Sequence, residues 1–175
     1  MSLFGELISN NGNAQVKQLA QNFNLDESTT QETIGQILPA ITRGVQRNSA
    51  SSTGMEDLMK ALNTGRHQRY ADDPSSLINA DSIEDGNKIL GHVFNSKDVS
   101  RNVAGQAAAA TGLDSGILKQ MLPMIAAAVM GMMSKQSTAA GNDSSAMSNM
   151  LASMLDADGD GSIADDLLDM AKKFF

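Results

Sequence analysis

Cysteine is absent from this chain, which excludes a disulfide framework, a thiolate zinc site and a cysteine nucleophile. Tryptophan is absent too, and Tyr70 is the single tyrosine. A core must therefore be built from Leu, Ile, Val, Ala and the 12 methionines, whose unbranched thioethers pack adaptably. Positive charge is scarce: 13 Lys and Arg stand against 20 Asp and Glu, a formal charge of −7. Phosphate contacts come from Lys and Arg, so DNA and anionic membranes are disfavoured as main partners. Catalytic signatures are missing as well. Of the two histidines, His67 lies in the polar run Arg66-His67-Gln68-Arg69-Tyr70 with no acid at helical spacing, and His92 sits between Gly91 and Val93 on a short helix. His92 reads as structural rather than catalytic, and nothing beside His67 suggests a dyad. Gly86, Gly91, Gly105 and Gly112 do not have the spacing of a phosphate loop, and Ser115-Gly116 lacks the Gly and strand that precede a nucleophile elbow. No enzyme is expected, and no cofactor other than the Ca2+ considered below. The stretch MSLFGELISN has no basic segment ahead of a long apolar run, so no secretory signal is read there and a cytoplasmic location is expected.

What is present is helical. The chain has room for one domain with a small appendage. It is organised around residues 113–133, LDSGILKQMLPMIAAAVMGMM. Leu118, Met121, Leu122, Ile125, Val129, Met132 and Met133 share one helical face, and the opposite face carries Met124, Ala126, Ala127, Ala128, Met130 and Gly131. A helix that is apolar all round belongs inside a protein or a membrane. The uninterrupted apolar run, 121–133, is shorter than the ~20 residues a bilayer needs, so it predicts the central buried helix of a soluble domain with no membrane partner.

Read in order, the chain opens with Leu3, Phe4, Leu7 and Ile8, a short helix with Ser2 as N-cap. Val16, Leu19, Ala20 and Phe23 follow at helical spacing. Asn24, Leu25 and Asp26 then form a corner: a left-handed residue, an apolar residue folding back, and an Asp capping the next helix. That helix has Ile34, Ile37, Leu38, Ile41 and Val45 on one face and Gln36, Thr42, Arg43, Gln46 and Arg47 on the other. The second half repeats the scheme. Ile89, Leu90, Gly91, Val93 and Phe94 match Leu3, Phe4, Gly5, Leu7 and Ile8. The corner Gly112-Leu113-Asp114 matches Asn24-Leu25-Asp26, and Leu118, Met121, Leu122, Pro123, Ile125 and Val129 match Ile34, Ile37, Leu38, Pro39, Ile41 and Val45. The chain is read as a duplicated three-helix unit, residues 3–47 and 89–133, within an all-helical core of residues 1–135. Pro39 and Pro123 either kink their helices or start new ones. Since the first copy's third helix has a solvated side, Ile41→Asp is expected to cost less than Ile125→Asp. Between the copies, Met55, Leu58, Met59 and Leu62 give a further short helix, and NTGRHQRYADDPSSLINADS reads as a surface loop with a turn at Asp73-Pro74. The polar stretch 134–145 reads as a linker, with residues 136–145 outside the core; it leads to a helix–loop–helix at 146–175.

The C-terminal loop is the one stretch whose spacing implies specific chemistry. Asp156, Asp158 and Asp160 occupy positions 1, 3 and 5 of an EF-hand loop, Gly161 the turn at 6, Ser162 the carbonyl ligand at 7, and Ile163 the apolar position 8. Alternating carboxylates turn inward around a hard cation, so Ca2+ is the metal expected. The second half departs from the pattern: Ala164 is at position 9 and Leu167 at 12, where a bidentate Glu belongs. Asp166 ligates only if the loop closes one residue early. The alternative reading is a polar turn in which glycines end one helix and an Asp caps the next.

The run Asp85-Gly86-Asn87-Lys88-Ile89-Leu90-Gly91-His92-Val93-Phe94, the Leu122-Pro123 helix and the ending LDADGDGSIADDLLDMAKKFF together resemble the YidB-like family of bacterial proteins of unknown function. The resemblance covers most of the chain. It implies an all-helical domain, homeodomain-like packing in at least part of the family, and no known enzymatic activity. Asn95 departs from it, since Gly more often follows the Phe. If the first unit packs like a homeodomain, its third helix would expose Arg43 and Arg47 to a groove of DNA; the alternative is a solvated face in an acidic protein. The expectation is a binding or interaction module, tuned by calcium, for a protein partner that the sequence does not identify, with a DNA-associated role as the second choice.

Overall fold

The computed structural model describes residues 13–64 and 66–140. The helices are α1 (Asn13–Phe23), α2 (Glu27–Ser49), α3 (Ser52–Asn63), the single-turn α4 (Arg69–Asp72), α5 (Ala80–Phe94), α6 (Lys97–Thr111) and α7 (Ser115–Ala140), with a 3-10 turn at Pro74–Ile78 between α4 and α5. No strand occurs among the described residues, so the fold is all-α.

The apolar helix is central, as its composition predicts. Residues 121–134 of α7 are buried without a break, and Leu118, Met121, Ile125 and Met133 are fully enclosed. By length and composition α7 would suffice to cross a membrane, yet 78% of its most apolar window is buried within the fold. Its main partner is α5, followed by α6, α4 and α3. Each large apolar side chain enclosed in this way contributes roughly 1.5–3 kcal/mol. Small residues let the backbones close up: a Cβ at Gly86 on α5 would lie 1.9 Å from the Pro123 carbonyl oxygen of α7. Pro39 and Pro123 start no helix; both lie inside continuous ones, α2 and α7.

Both corners have the expected geometry. Asn24 is left-handed (φ 53°), the Leu25 N–H returns to the Ala20 carbonyl at 2.9 Å, and the Asp26 carboxylate accepts from the Thr29 N–H at 2.8 Å. Gly112 is left-handed (φ 74°), and the Asp114 carboxylate accepts from the Gly116 N–H at 2.7 Å. Asn95, the departure from the family pattern, also takes a left-handed conformation (φ 52°), which Asn tolerates better than most side chains.

Three expectations need correcting. First, residues 63–82 are not a surface loop. They hold α4, the 3-10 turn and the start of α5, and Tyr70 and Leu77 are completely buried. The Gln15 amide of α1 donates to the Ala71 carbonyl at 2.9 Å, and Lys135 of α7 pairs with Asp72 at 2.8 Å. The polar composition hid a segment clamped by long-range bonds. Second, α7 continues to Ala140, seven residues into the stretch 134–145 read as linker. Ser134 and Ser137 are buried, and the Ser134 hydroxyl donates to the Leu62 carbonyl at 3.0 Å, so hydroxyls replace aliphatic contacts where α7 passes α3. Third, Ile41 is as enclosed as Ile125, at 1% and 0% exposure, so a charge at either position meets the same core. The first short helix and the helix–loop–helix at 146–175 lie outside the described residues.

Candidate functional site

Two open grooves meet at Asn95. The left-handed Asn95 ends α5, and Ser96 starts α6 with its hydroxyl accepting from the Asp98 N–H at 3.1 Å. This reversal presents Lys97 and Arg101 one turn apart on α6, opposite Lys119 from the first turns of α7. Together with Asn87, Leu90 and Leu122 they line the first groove, of about 690 Å³. Arg101 is paired with Asp98 at 2.9 Å, but that carboxylate does not line the groove. Among the described residues no acid lines it, and Lys97 and Lys119 have no ion-pair partner. The second groove, about 470 Å³, runs between α2 and α5. It is lined by Arg47, Asn48, Asp57, His92 and Asn95. It forms because Gly44 lets α2 approach Val93 closely and because the Asn48 amide donates to the His92 carbonyl at 3.1 Å.

A separate polar cluster joins α4 to α5. The Tyr70 hydroxyl donates to the Asp85 carboxylate at 2.7 Å, and Arg69 reaches the same oxygen at 3.3 Å and the Tyr70 oxygen at 2.7 Å. The Arg69 guanidinium sits 4.8 Å over the Tyr70 ring, and His67 stacks on that ring at 6.2 Å. Burial raises the Asp85 carboxyl, but the Tyr70 bond and the positive charges of His67, Arg66 and Arg69 outweigh it, so the group titrates below the ordinary carboxylate value. Burial lowers the His67 imidazole despite the pull of Asp85, and its Nδ1 finds no hydrogen-bond partner among the described residues. The phenol of Tyr70 is raised, first by burial and then by its bond to Asp85. A hydroxyl already donating to a buried carboxylate, with a guanidinium over its ring, is held rather than poised to react. The cluster works as a latch fixing residues 66–79 to α5.

The latch has a pH signature. A His held below its ordinary value weakens the fold as pH falls through about 6.5, because the unfolded chain takes up the proton first. A carboxyl held low contributes above about pH 3.9 and loses its contribution as pH falls below that through the folded value. Urea midpoints are therefore expected to drop between pH 7 and pH 5, and again below pH 4. His67→Gln should flatten the first step and Asp85→Asn the second. Unchanged steps in the variants would detach the cluster from acid stability.

The residues singled out in the sequence scatter. Arg43 and Arg47 are exposed on α2, and Arg47 alone lines a groove. His92, read as structural, is exposed in the last turn of α5 and lines the same lobe. Asp156, Asp158, Asp160, Ser162 and Asp166 lie outside the described residues. Lys97, Arg101 and Lys119 were missed, since they come from two helices and only the turn at Asn95 brings them together. Asp85 was missed as a partner of Tyr70 because the bond spans 15 residues. One signal was available: Asp85 falls on the face of Ser82, Ile89 and Val93, where a charge needs a partner.

No curated protein and no solved structure matches the chain. A family model matches residues 5–136, a span that includes both grooves and the latch. The chain belongs to a family of bacterial proteins of unknown function (DUF937), with which the YidB-like resemblance is consistent.

Proposed function

We propose that this protein is a non-enzymatic binding module of the bacterial cytoplasm, which receives a protein partner along the two grooves meeting at Asn95 and is tuned by calcium through its C-terminal loop. The observation that carries the reading is the groove itself. It is open, and it exposes amide and cationic side chains from α2, α5, α6 and α7. Such a surface suits an extended partner better than a small molecule, which buries most of its area in an enclosed pocket.

Calcium enters through Asp156, Asp158, Asp160, the Ser162 carbonyl and Asp166. The missing position-12 Glu predicts an affinity no tighter than about 10⁻⁴–10⁻³ M, the range of weak extracellular modules. Calorimetry at millimolar calcium is expected to give a binding isotherm that Asp156→Ala/Asp158→Ala abolishes. No heat in the unaltered protein, or equal heat in the variant, removes the metal from the proposal. Pull-downs from the native bacterium with and without calcium, repeated with Lys97→Glu/Lys119→Glu, test the groove separately. Capture indifferent to both lysines removes the groove.

One observation favours a second reading, DNA association. Arg47 lines a groove and Arg43 lies exposed one turn away on the same helix. Asp57 shares that lobe, however, and the rest of the exposed face of α2 carries little positive charge. A duplex shift at low salt, lost in Arg43→Ala/Arg47→Ala, would move the reading to nucleic acid.

A further inference from the structure

We infer that the first groove is a docking site for the chain's own acidic stretch, residues 156–166. This rests on the groove being the binding surface and adds the occupant that competes with a partner.

Charge is unequally distributed along the chain. Residues 141–175 carry seven Asp against Lys172 and Lys173, and five of those Asp fall between 156 and 166 with no base among them. On the helical body, Arg69, Lys88 and Lys135 each have a carboxylate within 3.3 Å. Among the described residues Lys97 and Lys119 have none, and both line a groove to which no described acid contributes. An extended acidic segment is therefore complementary to this groove. The second lobe is less so, because Asp57 lies in it.

The chain has the reach. Lys119 and Ala140 lie on one helix, about 30 Å apart along its axis. Asp156 is 16 residues beyond Ala140, a length that spans about 50 Å when extended. A tethered segment meets its site at an effective concentration near millimolar, so a weak charge-driven contact is populated without high intrinsic affinity. The same carboxylates are the calcium ligands proposed above.

The absence of cysteine makes the test clean. A spin label on Ala164→Cys in the full-length chain labels one position only. At low salt, the amide signals of Lys97, Arg101 and Lys119 should lose more than half their intensity, while those of Lys17 and Gln21 on α1 keep theirs. The loss should vanish in Lys97→Glu/Lys119→Glu, whose exposed positions leave the core intact, and at about 1 M salt, where charges are screened beyond ~3 Å. It should persist on dilution. Full intensity at the groove, broadening spread evenly over the surface, or broadening unaffected by charge reversal overturns the proposal. A loss that scales with protein concentration assigns the groove to a second copy and overturns docking in cis. Each of these outcomes leaves the pull-down with the lysine variant free to succeed or fail independently.

Discussion

Ile125→Asp should abolish cooperative unfolding. Ile125 has no exposed area, and its neighbours along α7, Leu122 and Val129, belong to the same core. A carboxylate there has no described hydrogen-bond donor to meet, and an unpaired buried charge costs upwards of about 4 kcal/mol. A domain of this size has about 5–15 kcal/mol in total. A thermal melt followed by far-ultraviolet circular dichroism should show a broad, low transition or none. Ile125→Val, which removes one methyl group, should cost about 1 kcal/mol and keep the transition sharp. Ile41→Asp should be nearly as severe as Ile125→Asp, because α2 buries Ile41 to the same degree despite its solvated opposite side. A native-like melt for Ile125→Asp would mean that α7 is not the centre of the core.

Gly86→Ala should damage the packing of α5 on α7 severely. The new Cβ would stand 1.9 Å from the Pro123 carbonyl oxygen and 2.5 Å from its carbon. These are backbone atoms inside a helix, so no rotamer relieves the contact, and α5 must move away from α7 along their long shared face. Overpacking of this kind costs about 3 kcal/mol or more. The control lies on the same helix. A Cβ at Gly91 meets nothing within 4 Å, so Gly91→Ala should be neutral or stabilise by up to about 1 kcal/mol through helix propensity. Urea denaturation of the pair separates packing from propensity. Equal midpoints would refute the close approach of α5 and α7.

These two helices also show what the sequence could and could not reveal. Residues 121–133 announced their burial because no polar side chain interrupts them, and Asn24, Asp26, Gly112 and Asp114 marked their corners because few residue types serve those backbone positions. Local chemistry was legible. Residues 63–82 were not, because their order comes from partners far along the chain: Gln15, Asp85 and Lys135. Short polar helices held by such bonds have no periodicity of their own. The grooves were hidden for a related reason. Lys97 and Lys119 look like ordinary solvated lysines until the left-handed turn at Asn95 and the capped start of α6 set them across from one another. The calcium loop stands the other way round: its spacing is explicit in the sequence, and its residues lie outside those the structure describes.

Tyr70 has a consequence for watching this protein at work. With no tryptophan and no second tyrosine, it dominates the near-ultraviolet absorption and intrinsic emission of the chain. It is fully buried, its hydroxyl is committed to Asp85, and a guanidinium covers one side of its ring. The molecule thus carries a single optical gauge, wired to the latch and blind to the groove at Asn95. A change in tyrosine emission reads the seating of residues 66–79 on α5, so events at the groove or in the acidic loop reach that signal only if they loosen the latch.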